Sequence, residues 1–123
     1  MNYVICVNNK PYLRFQGEEV HNEEISDLVV GQVYKVASPD VNDGPDDLRI
    51  IDESGEDYLF PAHYFAPLQV TEETLTDASS AVTVRLSPAL KGILHAEALA
   101  ARKSVSALLR EWIDERLDLP VVA

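Results

Sequence analysis

The clearest chemical pattern in the chain is an alternation of two kinds of side chain in residues 81–86, AVTVRL. One set is small, hydroxylated or basic: Ala81, Thr83 and Arg85. The residues between them are aliphatic: Val82, Val84 and Leu86. Because successive side chains of a strand point to opposite faces, the alternation predicts a short strand with one apolar and one hydrogen-bonding face. A lone strand leaves backbone groups unpaired and no second strand follows this one, so its partner could come from another copy of the chain.

Residues that could support catalysis or metal binding are scattered along the chain. The histidines are His21, His63 and His95, and their separations fit no pattern of metal ligands. Paired carboxylates occur in predicted loops, at Glu18–Glu19, Glu23–Glu24 and Asp46–Asp47. No nucleophile pattern lies near them, and there is no Gly-rich phosphate loop. We therefore interpret the acidic pairs as a solvated face, and we expect no enzyme, no metal and no cofactor.

Two amphipathic helices are predicted to follow the strand. Ser87 can accept a hydrogen bond from a free amide at the start of the first helix, and Pro88 suits its first position. The apolar stripe of this helix consists of Leu90, Ile93, Leu94 and Ala98. Arg102–Lys103 ends the first helix, Ser104 caps the second, and residues 118–120 end the second. The second apolar stripe consists of Val105, Leu108, Leu109, Trp112, Ile113 and Leu117.

The charge of the chain is distributed unevenly. Of the 123 residues, 46% are hydrophobic and 25% are charged, so the chain can bury a core. Residues 1–77 carry 4 basic and 16 acidic side chains, a net charge of −12, whereas residues 78–123 carry 6 basic and 5 acidic ones, a net charge of +1. The acidity therefore belongs to the first part of the chain, and the basic residues of the second part could still cluster on one face.

Cysteine content and hydrophobicity indicate a cellular compartment. Cys6 is the single cysteine, which excludes an intramolecular disulfide, and its apolar surroundings predict a buried thiol. No apolar run approaches the roughly 18 residues that cross a bilayer. The first ten residues lack the pattern of a secretory signal. We therefore expect a cytoplasmic protein with no membrane partner.

The first 70 residues contain short β-type runs separated by turn signals. Strands are predicted at residues 3–7, 31–37, 48–51, 57–60 and 68–70. Residues 38–47 must form a loop, because they include two prolines and four aspartates. Gly55 is expected to supply the positive φ of a hairpin turn, and residues 61–65 a single 3₁₀ turn. Residues 71–80 are interpreted as a linker with room for one turn of helix.

Five closely spaced strands favour a small closed barrel, and two motifs resemble one. The first motif is Leu28-x-x-Gly31-x-x-Tyr34-x-Val36. The second motif is Ile50-Ile51-Asp52-x-x-Gly55-Glu56-Asp57-Tyr58-x-x-Pro61-x-x-x-Phe65. Together they resemble a Src-homology-3-like small barrel. The resemblance implies a five-stranded acidic barrel in residues 1–70 and no particular ligand.

The strand and the two helices of residues 81–118 resemble the MetJ/Arc/CopG family of ribbon-helix-helix proteins. In that family two chains intertwine, and their strands pair as an antiparallel ribbon that enters the major groove of DNA. The resemblance implies base contacts by Ala81, Thr83 and Arg85. It implies phosphate contacts by Arg102, Lys103, Ser104 and Val105. It implies a shared dimer core of Val82, Val84, Leu86, Leu90, Leu94, Leu108, Leu109 and Trp112.

Two features of this sequence depart from the family pattern. Relatives often have a glycine in the turn between the helices, where this chain has Arg102. The reading strand also carries only one charge, that of Arg85, where many relatives carry more. Modest DNA affinity is therefore expected, unless dimers bind side by side.

These observations predict an α+β fold, with the barrel in residues 1–70, the linker in residues 71–80 and a dimeric ribbon-helix-helix module in residues 81–123. The leading hypothesis is a dimeric transcriptional repressor that binds an operator, such as an antitoxin that regulates its own synthesis. The acidic domain could then hold a basic protein partner such as a toxin. The alternative is an interaction protein that dimerises without binding DNA, whose acidic domain binds a protein partner or mimics DNA.

Overall fold

Short runs of β-branched and aromatic residues form the strands of the N-terminal unit, Met1–Leu68. The structure is a computed structural model that describes residues 3–10, 12–15, 18–21 and 25–121. The strands are β1 (Tyr3–Cys6), β2 (Tyr12–Phe15), β3 (Glu18–His21), β4 (Val33–Val36), β5 (Asp47–Ile51), β6 (Asp57–Pro61) and β7 (Phe65–Pro67). A 3₁₀ turn at Ala62–Tyr64 separates β6 from β7, which confirms the predicted turn.

Five of these strands form one antiparallel sheet in the order β6–β5–β4–β1–β7. Within the described part of the chain, the edge strands β6 and β7 do not pair with each other, so the sheet is open. The prediction of a closed five-stranded barrel was therefore wrong. Closure would need a second partner for β7, but this strand has three residues and ends at Pro67, which has no N–H to donate. It also takes the place of the strand predicted at residues 68–70.

β2 and β3 form a separate antiparallel hairpin, in which Tyr12 lies opposite His21. The sequence pattern did not indicate these strands, because consecutive acidic residues are typical of a solvated loop. The prediction that Glu18–Glu19 lies in a loop was wrong, since both residues belong to β3. Glu23–Glu24 and the side chain of His21 lie outside the described residues.

Three helices form the C-terminal unit, Gln69–Ala123. They are α1 (Glu72–Thr76), α2 (Pro88–Ala101) and α3 (Val105–Leu117). α1 lies in the predicted linker, and its N-cap is Thr71, whose side chain accepts a hydrogen bond from the Thr74 N–H in a capping box. Helices α2 and α3 agree with the two predicted helices, and they are the parts of this unit that pack together.

Residues 81–86 do not form the predicted strand in this structure. In the part of the chain that the structure describes, they make no backbone hydrogen bond to any other residue. The described residues of this unit include no second strand that could pair with them, which is the difficulty that the sequence indicates. The single chain thus contains the two helices that were predicted to follow the strand. It shows neither the ribbon nor the intertwined dimer that was predicted.

The core of the N-terminal unit is formed by strands of the large sheet and the turns beside them. Its buried residues are Val4, Cys6, Leu28, Tyr34, Ile50, Phe60, Tyr64 and Phe65. Cys6 is only 1% exposed, which confirms the predicted buried thiol, and burial raises its pKa. Burial also raises the pKa of Tyr34 to about 12, and the Tyr34 hydroxyl accepts a hydrogen bond from the Val29 N–H at 2.8 Å. The core therefore contains no charged group from these two side chains at neutral pH.

The turn between β5 and β6 confirms the predicted hairpin. Gly55 has a φ of 83°, the left-handed conformation that glycine adopts at little cost. The buried carboxylate of Asp52 accepts a hydrogen bond from the Ser54 N–H at 2.9 Å. The Asp52 N–H donates to the Glu56 carbonyl at 3.1 Å. These bonds fix the start of the turn by local chemistry alone.

Arg49 attaches the acidic loop before β5 to the sheet. Its Nη2 and Nε atoms donate to the two carboxylate oxygens of Asp43 at 2.7 and 3.1 Å. A third bond from Nη1 reaches Asp57 on β6 at 3.2 Å. Hydrogen bonding to Arg49 lowers the pKa of Asp43, because it favours the ionised carboxylate. Arg49 therefore joins one loop and two strands.

We predict that Asp43→Asn lowers the melting temperature of the N-terminal unit at neutral pH, because it removes the ionised acceptor of Arg49. The pKa of Asp43 in the folded chain lies below its ordinary value of 3.8, so this stabilisation is complete above that pH and disappears as the pH falls through the lowered pKa. Thermal unfolding of both proteins at several pH values measures the effect. The difference should shrink in acid. Asp46→Asn, which alters an exposed carboxylate of the same loop, is the control.

Candidate functional site

The helix ends of the C-terminal unit are formed by the predicted residues. Ser87 Oγ accepts a hydrogen bond from the Leu90 N–H, and Ser104 Oγ accepts one from the Ala107 N–H, both at 3.1 Å. Both N-caps are therefore confirmed. They fix where α2 and α3 begin, and so they determine which residues lie in the short turn between the helices.

Arg102 closes α2 in a left-handed conformation, with a φ of 57°. Its N–H donates to the Leu99 carbonyl at 3.1 Å, and the Lys103 N–H donates to the Ala98 carbonyl at 3.0 Å. This is the Schellman arrangement, in which glycine is the usual left-handed residue. The absence of that glycine was noted from the sequence, and the structure shows that the arginine adopts the glycine-like conformation.

The apolar faces of α2 and α3 are only partly covered within one chain. The buried residues of these helices are Leu94, Ala98 and Leu108. Of the predicted dimer core, Leu94 and Leu108 are thus buried in the single chain, and Leu109 is half-buried. The rest of the predicted core is exposed: Val82, Val84, Leu86, Leu90 and Trp112. Further exposed apolar residues of the helices are Ile93, Leu99, Ile113 and Leu117.

An open groove of about 410 Å³ lies between residues 81–86 and the two helices. It is lined by Val84, Leu86, Lys91, Leu94, His95, Val105 and Leu109. The structure thus brings aliphatic residues of the predicted strand face next to both helical stripes. Val82 lies outside this lining and is 89% exposed. The groove is a mostly apolar surface that one chain does not fill.

The predicted base-contacting residues form an exposed set in residues 81–86. Ala81, Thr83 and Arg85 are all exposed. Among the described residues, no hydrogen bond or ion pair engages the side chain of Thr83 or Arg85. Their polar groups can therefore bind a ligand without first breaking a bond within the chain.

The predicted phosphate-contacting residues lie together at the turn between the helices. Arg102, Lys103 and Ser104 are exposed, and Val105 is half-buried. In the described part of the chain, the N–H groups of Val105 and Ser106, in the first turn of α3, make no hydrogen bond. Such amides carry partial positive charge and bind anions. The Nζ of Lys103, however, forms an ion pair with Glu111 of α3.

Three residues of this surface were not among the site residues predicted from the sequence. Lys91 and His95 line the groove, and their spacing of four residues beside Leu94 was a signal that could have identified them. Glu111 pairs with Lys103 across the start of α3. Among the described residues, no group of three histidine, cysteine or carboxylate side chains is placed to hold a metal ion. His63 packs its ring edge-on to Tyr64, with ring centroids 5.0 Å apart.

Comparison of the chain with protein-family models, curated proteins and solved structures found no match. Among the described residues, no helix is long and apolar enough to cross a membrane.

We predict that Arg102→Gly gives a more stable C-terminal unit than Arg102→Ala, by about 1 kcal/mol. Both variants remove the cation, but only glycine adopts the left-handed conformation without a steric penalty. Chemical denaturation followed by far-ultraviolet circular dichroism, at one protein concentration, measures the difference. Equal stability of the two variants would show that the left-handed conformation at position 102 carries no steric penalty.

Proposed function

We propose that the chain is a dimeric DNA-binding regulator of transcription, whose C-terminal unit supplies both the dimer contact and the DNA contact. The observation that carries the proposal is a combination in residues 81–86: unpaired backbone groups, the aliphatic residues Val84 and Leu86 in the lining of a groove, and an exposed Arg85. This combination is the one expected of a ribbon-helix-helix chain taken without its partner.

The dimer satisfies two requirements at once. Antiparallel pairing of residues 81–86 with the same segment of a second copy gives their backbone groups hydrogen-bonding partners. The pairing also places the aliphatic sets of both copies over the uncovered helices. Five predicted core residues are at least 40% exposed in one chain: Val82, Val84, Leu86, Leu90 and Trp112. Covering them in both copies would contribute roughly 1 kcal/mol each, or about 10 kcal/mol in total, which is comparable to the cost of association.

DNA contact follows from the same pairing. Because side chains alternate along a strand, the two copies of Thr83 and Arg85 would lie together on the face opposite the core. An arginine in the major groove can donate two parallel hydrogen bonds to O6 and N7 of guanine, which discriminates against other bases by about 1–3 kcal/mol. Thr83 can donate a hydrogen bond and contact a thymine methyl group, whereas Ala81 offers apolar contact alone.

Phosphate contact would come from the turn between α2 and α3. The free amides of Val105 and Ser106 and the side chains of Arg102, Lys103 and Ser104 lie there. The ion pair between Lys103 and Glu111 competes for one of these cations. Exposed ion pairs contribute at most about 1 kcal/mol, so Lys103 can exchange its carboxylate for a phosphate at small cost.

The charge of residues 1–77 suggests what the N-terminal part contributes. A net charge of −12 repels DNA at long range and attracts basic proteins. Salt screens this repulsion beyond roughly 8–10 Å, so operator binding remains compatible with it. A basic protein partner such as a toxin fits this charge, as in an antitoxin that represses its own operon in the cytoplasm.

We predict that Arg85→Ala abolishes binding to operator DNA while the dimer persists. The change removes the one cation of the reading face and leaves the aliphatic set intact. A gel shift on the DNA upstream of the coding region, at low and moderate salt, measures the effect, and the wild-type shift should weaken steeply with salt. Arg116→Ala is the matched control, because it removes an exposed arginine outside the predicted contacts. A stable dimer that gives no shift even at low salt favours instead an interaction protein with an acidic binding domain.

We predict that Val84→Lys converts the protein to a monomer, because it places a charge in the apolar groove. Light scattering at high micromolar concentration gives the mass of each protein. Val41→Lys, at a residue that is 97% exposed in the N-terminal unit, should remain dimeric. A wild-type protein that is monomeric at these concentrations argues against the proposed function itself.

A further inference from the structure

Two ionisable side chains, Lys91 and His95, lie in the otherwise apolar groove of the C-terminal unit. They are four residues apart on α2, which places them on the same side of the helix, one turn from each other. The rest of the lining is aliphatic and comes from three elements: Val84, Leu86, Leu94, Val105 and Leu109. The groove proposed to be covered by a second copy therefore contains a histidine beside a permanent cation.

The one other ionisable residue in the lining of the groove opposes protonation of His95. Lys91 is the other ionisable residue of the lining, and like charges four residues apart on a helix repel. The lining residues from α3 and from residues 81–86 are aliphatic, so they offer no carboxylate. Glu97 follows on α2 but lies outside the lining, and Glu111 of α3 is paired with Lys103. Arg85, in the segment that borders the groove, is a further cation outside the lining.

We propose that protonation of His95 dissociates the dimer, so that operator binding is lost in mildly acidic conditions. The proposal rests on the proposed function, since it concerns the same groove covered by a second copy. Removing water from the groove disfavours a charged imidazole, and the nearby Lys91 disfavours it further. The dimer therefore contains His95 in its neutral form. A free chain whose His95 is protonated must release that proton before it can associate.

The size of the effect follows from the number of histidines. Histidine is the side-chain type whose ordinary change of charge falls between pH 5.5 and pH 7.5. A dimer needs two neutral copies. If it admits only the neutral form, its dissociation constant rises by about 100-fold between pH 7.5 and pH 5.5. Carboxylates stay ionised over most of this interval, so their contribution is small.

Sedimentation equilibrium at pH 7.5 and pH 5.5 tests the proposal on the full chain. We expect the wild-type dissociation constant to rise by about 100-fold in acid. His95→Gln, which keeps a polar side chain of helix-forming type, should change by less than about threefold. His63→Gln removes an exposed histidine of the N-terminal unit and should behave as the wild type does. Circular dichroism at both pH values shows whether each protein keeps its helices.

A second variant separates the local charge from other effects of pH. Lys91→Glu replaces the repelling cation with a carboxylate one turn from His95, which favours the protonated form. We expect the rise in its dissociation constant to be smaller than that of the wild type by about tenfold. A wild-type dimer that is equally strong at both pH values overturns the inference and leaves the proposed function intact. So does an unchanged pH dependence in His95→Gln. A chain that forms no dimer at pH 7.5 overturns both.

Discussion

The C-terminal unit is governed by one constraint, which is that the backbone groups of residues 81–86 have no partners within the described chain. Such groups must either stay in water or pair with another strand. Here the segment borders a groove between two helices whose apolar faces are largely exposed. Pairing with a second copy would satisfy the backbone, cover the groove and leave Arg85 on the opposite face. In the proposed dimer, the subunit contact and the DNA contact would thus be linked through one strand, because its two faces cannot be rearranged independently.

The two units differ in how much of their apolar surface each one buries within the chain. The N-terminal unit has a continuous buried core, and Arg49 ties its acidic loop to two strands. The C-terminal helices bury only Leu94, Ala98 and Leu108. A unit this small has a marginal amount of buried apolar surface, and association is a common way to add to it. The N-terminal unit therefore has a core of its own, whereas the C-terminal unit would complete its core in the proposed dimer.

Local chemistry could be predicted from the sequence, whereas long-range pairing could not. Ser87 and Ser104 cap their helices and Gly55 turns its hairpin because each position is determined by its immediate neighbours. The prediction of a closed barrel was wrong because closure requires two distant edge strands to pair, and no local sequence pattern specifies such a pairing. β3 was missed because its acidic residues are typical of loops. At the candidate site, the spacing of Lys91 and His95 beside Leu94 indicated a shared helix face, but the groove itself depends on the packing of three elements.

Arg102 connects stability with the proposed function of the turn between α2 and α3. Its left-handed conformation costs about 1 kcal/mol relative to glycine. A cation at the C-terminal end of a helix gains roughly 0.3–1 kcal/mol from the helix dipole, so the two effects nearly cancel. Folding alone therefore gives little reason to prefer arginine over glycine at this position. In a complex with DNA the side chain would add a phosphate contact beside the free amides of α3, and this contact is where the arginine would have its advantage.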